Sequence, residues 1–156
     1  MTAVLLAAIL SVCGAIVFDG EQPDQQAARS PLAGSWSADL SRSRLDPKMP
    51  FKEIDITLGV TGNAVTVASS LVMPNGAKLQ ERETFRADGT ETAATQYQGV
   101  THVANWIGPQ VFALITKKGS EIVALITYQV SSDGQTLTAR TSGPIDQTIV
   151  FKRREL

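Results

Sequence analysis

Gly34-Ser35-Trp36 is the stretch that decides the fold of this chain. It stands where a polar, irregular segment gives way to a long series of β-patterned runs, and it places one of the two tryptophans at the start of the first strand. A buried Trp removes roughly 150–250 Å² from water, an upper estimate of about 4–6 kcal/mol. The glycine lets the backbone bend as the strand enters a barrel. We therefore predict that Trp36 closes one end of a small β-barrel, and that any ligand enters at the other end.

The sequence that follows alternates short β-runs with turn dipeptides. In the run 52–60, Ile54, Ile56 and Leu58 share one face while polar residues take the other, which is the period of two of a half-buried strand. Asn75-Gly76 and Asp88-Gly89 favour tight hairpins. The predicted strands are 34–40, 52–60, 64–73, 78–87, 90–96, 101–107, 110–117, 121–130, 135–141 and 146–153.

Short turns between consecutive runs predict an antiparallel meander. An open meander of this length would leave two long edges, which closure into a barrel removes. We predict an all-β, up-and-down antiparallel barrel of eight to ten strands, whose interior holds side chains or one small ligand. The runs 110–117 and 121–130 are apolar on both faces. This pattern predicts that the linker, the loop 41–51 or a second subunit covers their outer side.

Composition excludes several classes of function. The 156 residues include 14 basic and 15 acidic side chains, for a net charge of −1, and this balance argues against a nucleic-acid partner. The single cysteine, Cys13, excludes an internal disulfide and a two-thiolate zinc site. The single histidine, His102, excludes a site built on several histidines. We expect no metal and no cofactor.

The N-terminal segment is apolar and uncharged up to Asp19. A run of this kind is typical of a secretory signal peptide, with Cys13-Gly14-Ala15 supplying the small residues of a cleavage site. An uncleaved membrane anchor, lipid attachment at Cys13 and a misassigned start codon are the alternatives. We predict a signal peptide or anchor over 1–18, a flexible linker over 19–33 and a barrel domain over 34–156. The expected location is periplasmic or secreted, with membrane contact only if the segment is uncleaved.

The two ends of the domain resemble a known family. Gly34-Ser35-Trp36 resembles the Gly-x-Trp signature of lipocalins and the wider calycin barrels, and Trp36 to Pro47 is similar to the opening of small exported bacterial lipocalin-like proteins of unknown function. The ending, with Tyr128 to Thr138 and then Val150 to Arg153, is similar too. The resemblance implies a calycin-like barrel that binds a small ligand. It also implies that Arg153 or Lys152 packs across Trp36, whereas the lipocalin-type disulfide is missing.

Residues 78–87 carry the first candidate site. Leu79, Glu81, Glu83 and Phe85 share one face, so the two carboxylates line the interior if the apolar residues point inward. Two such carboxylates can serve acid–base chemistry or bind a ligand. The alternative is a solvated strand whose acids pair with arginines or face water.

Five further candidate residues are a single histidine, three aromatic residues and an arginine. The candidate roles of His102 are those of a general base, an axial ligand of a haem-type group, a hydrogen-bond partner of a ligand, and a structural residue. Tyr97, Trp106 and Tyr128 form either an aromatic pocket or ordinary packing. Arg140 anchors a carboxylate inside the barrel or lies on the surface.

Three functions are compatible with this sequence. We expect an exported barrel that binds a small hydrophobic or amphiphilic ligand, and no enzyme. The alternatives are an envelope module that binds or inhibits another protein, and an enzyme using Glu81, Glu83 or His102. The oligomeric state is left open.

Overall fold

The computed structural model describes residues 30–94 and 97–155, so the predicted signal peptide and most of the predicted linker lie outside the described residues. The described chain is all-β apart from one turn of 3₁₀ helix, Leu40–Arg42. Within the described ranges no helix is both long and apolar enough to cross a membrane. The strands are β1 (Gly34–Ala38), β2 (Glu53–Thr61), β3 (Ala64–Val72), β4 (Lys78–Arg86), β5 (Asp88–Ala93), β6 (Val100–Trp106), β7 (Val111–Lys118), β8 (Glu121–Val130), β9 (Thr136–Ser142) and β10 (Gln147–Arg153).

All ten strands belong to one antiparallel sheet in the order β4-β3-β2-β1-β10-β9-β8-β7-β6-β5. Chain neighbours are sheet neighbours except at one place, because β4 and β5 form the two edges. The sheet curls until these edges approach, and β4 there contacts β6 as well as β5. We call this line of approach the seam. The predicted up-and-down barrel is confirmed, with ten strands and incomplete closure.

The strands form where the period of two is clearest. In β2 the side chains of Ile54, Ile56 and Leu58 are buried, while Glu53 and Thr57 between and beside them are exposed. The hairpin after β3 turns at Gly76, whose φ of 85° suits a residue without a Cβ. The alternation of buried and exposed residues and the turn-forming glycine therefore specify the same strand boundaries here.

Trp36 and Arg153 close one end of the barrel, which we call the floor. Trp36 is fully buried, and its Nε1 donates a hydrogen bond of 3.1 Å to the Leu32 carbonyl oxygen. The Arg153 guanidinium carbon lies 4.1 Å from the centre of the Trp36 ring. Of the two basic residues considered for this position, Arg153 occupies it, whereas Lys152 points outward and pairs with Asp39. The register requires this, because Trp36 lies opposite Arg153 in the β1–β10 pair.

Gly34 makes room for that arginine. Its φ is +143°, in the region that glycine tolerates best, and a Cβ at this position would collide with Nη1 of Arg153. The signature glycine is thus needed for the arginine as well as for the bend of the strand.

The segment just before β1 belongs to the folded domain. Leu32 is fully buried in the core, and the carbonyl oxygens of Pro31 and Ala33 accept hydrogen bonds from Arg153 at 2.6 and 2.9 Å. The predicted linker boundary at residue 33 is therefore too late, because an apolar side chain three residues before Gly-x-Trp is part of the floor.

The loop between β1 and β2 covers the barrel end opposite the floor. Arg44 forms an isolated bridge with Thr148, and Met49 and Phe51 further along line the interior. The prediction that this loop covers the outer side of β7 and β8 is wrong. On β8, Ile122 and Leu125 remain 59% and 38% exposed among the described residues.

Candidate functional site

The barrel contains a cavity of about 80 Å³ in the half away from the floor. At about 10–15 Å³ per water-sized site, this volume corresponds to roughly five to eight waters, well below the ~300 Å³ of a pocket for a drug-sized ligand. Most of the lining is apolar, and neither Leu32 nor Trp36 contributes to it. The polar side chains that line the cavity are Ser69, Glu83, Tyr128, Thr141 and Gln147.

Glu81 and Glu83, the acidic pair, face the interior from edge strand β4. They alternate with Arg82 and its neighbours, which are exposed, and they share a face with the buried Phe85. Glu81 is 4% exposed and the Glu83 side chain 13%. The alternative of a solvated strand does not hold for these two carboxylates, because the apolar residues of their face point inward.

Burial controls the charge of the acidic pair. It raises the pKa of Glu81 to about 8, with the neighbouring Glu83 charge as a second cause. Burial likewise raises the pKa of Glu83 to about 7. Among the described residues, both oxygens of Glu81 and Oε2 of Glu83 have no hydrogen-bond partner. Each carboxyl therefore holds a proton in the neutral pH range far more readily than an exposed glutamate does.

His102 reaches the acidic pair across the seam. It lies on β6, is 2% exposed, and its Nε2 is 3.4 Å from Oε1 of Glu83. Its Nδ1 lies 3.1 Å from Oγ1 of Thr116, and its ring packs edge-on against Phe85 at 5.4 Å. Burial lowers the pKa of His102, so the imidazole is neutral near pH 7 and the contact with Glu83 is not a full ion pair.

Thr116, His102 and Glu83 thus form a row of hydroxyl, imidazole and carboxyl groups. Such a row can activate a hydroxyl nucleophile where a substrate reaches it. Here Thr116 is buried at 3% exposure, and neither it nor His102 lines the cavity. The described structure offers the hydroxyl no substrate, and His102 Nε2, although 3.4 Å from Oε1 of Glu83, makes no hydrogen bond.

The remaining candidates lie in different places. Tyr128 lines the cavity and stacks on Phe112 with ring centres 6.1 Å apart. Burial raises the pKa of Tyr128 to about 12, and the Glu81 charge is the second cause. Trp106 packs against Phe112 at 5.5 Å and belongs to the core rather than the cavity. Tyr97 lies in the turn before β6 and does not line the cavity.

Arg140 lies on the outside of the barrel. It is exposed on β9, between Ala139 and Thr141, which both line the cavity. The hypothesis that it anchors a carboxylate inside the barrel is wrong, because the alternation of β9 turns this side chain outward.

Sequence reasoning missed several polar residues of the interior. Ser69 shares its face of β3 with Val67 and Leu71, so a polar residue within an apolar stripe was the available signal. Thr116 on β7 carries a similar signal beside Phe112 and Leu114. Gln147 begins β10, where alternation is not yet established, and nothing in the sequence marks it.

The described residues contain no group of three or more His, Cys, Asp or Glu side chains placed to hold a metal ion.

No protein-family model and no curated protein sequence matches this chain. Solved structures do match in fold. Wild-type fluorescent protein UnaG has a TM-score of 0.56 at 17% identity, over 79% of this chain and 96% of its own. A Schistosoma mansoni fatty-acid-binding protein in complex with arachidonic acid has a TM-score of 0.57 at 12% identity, over 83% and 100%. Echinococcus granulosus fatty-acid-binding protein 1 has a TM-score of 0.54 at 8% identity, over 80% and 98%. The likeness shows the fold, an antiparallel up-and-down β-barrel.

Proposed function

We propose that this barrel binds a small hydrophobic or amphiphilic ligand in its interior. The observation that carries the proposal is the cavity of about 80 Å³, which is lined mainly by apolar side chains with a few polar groups from five different strands. Ligand sites in proteins have this composition, because apolar contact supplies affinity and a few polar groups orient the ligand.

The proteins of similar fold support the same proposal. Several of them carry fatty-acid binding or fatty-acid transport in their names. The cavity here accommodates a fragment of roughly five to eight non-hydrogen atoms. A longer ligand requires movement at the end covered by Met49 and Phe51.

Native mass spectrometry of protein purified without denaturation tests this function. We expect an added mass that is lost after denaturation and extraction with organic solvent. Ala139→Leu, which fills the cavity from β9, should abolish the added mass, whereas Ala93→Leu on the exposed face of β5 should retain it. An unliganded protein that also fails to take up short-chain alcohols would contradict the proposal.

We also propose that the chain is exported. The support is the uncharged apolar run before Asp19, followed by the polar, proline-containing segment up to the domain. Cell fractionation with N-terminal sequencing tests it, and a mature chain that begins shortly after Ala15 is expected. An intact N-terminus in the cytoplasmic fraction would contradict export, and an intact N-terminus in the membrane fraction would indicate an anchor instead.

A further inference from the structure

The interior has an excess of hydrogen-bond acceptors. Among the described residues, five buried side-chain oxygens lack a partner: both of Glu81, Oε2 of Glu83, Oε1 of Gln147 and Oγ of Ser69. Ser69, Glu83 and Gln147 line the cavity, whereas Glu81 lies on the same face of β4 as Glu83 but outside the lining. An ionised carboxylate and an amide oxygen only accept hydrogen bonds, and the Ser69 hydroxyl can also donate one. A buried polar atom without a partner destabilises the folded state. The group that best complements this surface is therefore one rich in N–H or O–H donors.

Positive charge is absent from the same surface. No Lys or Arg belongs to the described lining of the cavity. The basic residues nearest in sequence, Arg82 and Arg86, are exposed on the opposite face of β4, and Arg140 is exposed on β9. The arginine that does enter the barrel, Arg153, is held at the floor by three carbonyl oxygens. A negatively charged ligand group would find acceptors and carboxyls here.

We propose that the ligand of this barrel carries a primary amine, bound as an ammonium group at Glu83, with Glu81 on the same face of β4 two residues away. The inference rests on the proposed function, since it names the polar end of the ligand that the barrel would hold. An ammonium group has three N–H donors, no acceptor and a positive charge. It therefore complements the acidic pair in both hydrogen bonding and charge. A hydroxyl group offers one donor, and a carboxylate offers none.

Binding of an ammonium group is coupled to protons. The acidic pair is partly protonated near neutral pH, and the other titratable groups that face it are His102 from β6 and Tyr128 from β8. His102 is neutral and Tyr128 stays protonated, so the proton that leaves comes from the acidic pair. An amine that binds as a cation therefore releases a proton, and its affinity rises from pH 6 to pH 8. The affinity of a carboxylate ligand should change with pH in the opposite direction, because such a ligand binds best when the acidic pair is protonated.

Calorimetric titration with hexylamine, 1-hexanol and hexanoate separates these cases. The three probes each contain six carbons, a size that suits the cavity, and they differ in the polar group at the end of the chain. At pH 8 we expect hexylamine to bind at least ~10-fold more tightly than hexanoate, because a hydrogen bond to a charged group contributes about 1.5–3 kcal/mol. Titration in two buffers of different ionisation enthalpy should show proton release with the amine.

Glu81→Gln combined with Glu83→Gln removes the charge at nearly constant shape. This double variant should lower the affinity for hexylamine about 10- to 100-fold and change that for 1-hexanol by less than about threefold. Glu121→Gln, an exposed residue of β8, is the matched control and should leave all three affinities unchanged.

Each outcome decides between the two proposals. Tighter binding of hexanoate than of hexylamine at pH 8, or full amine affinity in the double variant, would overturn the amine proposal and leave the binding function intact. No binding of any probe would overturn both. If the double variant is misfolded and fails to bind 1-hexanol, the two-buffer titration of the unmodified protein tests the amine proposal instead. Proton uptake on binding hexylamine would contradict it.

Discussion

The floor and the acidic pair are two buried polar regions of one barrel, and they differ in how well their groups are paired. At the floor, the Arg153 guanidinium donates to the carbonyl oxygens of Gly134, Ala33 and Pro31 at 2.6, 2.9 and 2.6 Å, and the Trp36 Nε1 is also paired. In the acidic pair, three of four carboxylate oxygens have no partner in the described chain. A fully paired buried network specifies structure, whereas a partly paired one lowers stability unless something else binds to it.

This difference separates the two regions more sharply than burial does. Trp36, Arg153 and Glu81 all lie inside the domain, yet the first two complete each other and the third does not. The unfavourable energy of Glu81 is the kind of cost that natural proteins tolerate at binding sites. The following substitutions test whether the two regions really differ in this way.

Trp36→Ala should have the largest effect. It removes the largest fully buried side chain among the described residues. It also removes the hydrogen-bond donor of the Leu32 carbonyl oxygen and the aromatic ring on which the Arg153 guanidinium packs. We expect a loss of about 3–5 kcal/mol in the free energy of unfolding by urea denaturation. Trp106→Ala, at a half-buried position, should lower the free energy of unfolding clearly less. Equal losses would show that Trp36 at the floor contributes no more to stability than a half-buried tryptophan.

Arg153→Leu should come next, because it leaves three carbonyl oxygens of the floor unpaired. Hydrogen bonds to a charged group contribute about 1.5–3 kcal/mol each, and they are not additive, so we expect a total loss of roughly 2–3 kcal/mol. Lys152→Leu is the matched control, since the Lys152 side chain is exposed and its ion pair with Asp39 is screened by solvent, so only a small loss is expected. Similar losses for both variants would contradict the distinction between the two basic residues.

The acidic pair should make stability depend on pH. Because the folded-state pKa values of Glu81 and Glu83 lie near 8 and 7, above the ordinary 4.5, the folded protein holds protons that the unfolded chain releases. The free energy of unfolding should therefore fall as pH rises from about 5 to 8.5, by on the order of a few kcal/mol for the pair together. The lowered pKa of His102 has the opposite sign and removes stability as pH falls below 6.5.

Glu81→Gln should flatten this slope and raise stability at pH 8.5 by roughly 1–3 kcal/mol, because it removes the buried charge. Thermal unfolding at a series of pH values measures it, with Glu121→Gln as the exposed control. An unchanged slope would mean that the Glu81 carboxylate is solvated or paired when it ionises.

Arg140→Ala should have the smallest effect. The side chain is exposed on the outer face of β9, so we expect a change within about 0.5 kcal/mol and unchanged binding of the six-carbon probes. A large loss of binding would place this arginine in the site and reverse the assignment of its face.

The site was only partly predictable from sequence. Alternation along β4 indicated that Glu81 and Glu83 share a face with Phe85, and the placement of Phe85 in the core made that face the inner one. Alternation also applies to Arg140, which shares a face of β9 with Thr136 and Thr138 while Leu137 and Ala139 lie on the other, so the sequence already favoured an outward position. Contact between Glu83 and His102 had no sequence signal, because it depends on how far the sheet curls.

Sequence by itself determined the strands and the burial of Trp36, because the period of two and the turn residues act over a few residues at a time. Tertiary structure alone decided which edges meet at the seam, which of Lys152 and Arg153 covers the tryptophan, and how small the cavity is. Those features depend on the register and on side chains from many strands filling one interior. The alternating pattern states which face a residue takes, but it does not state what that residue meets there.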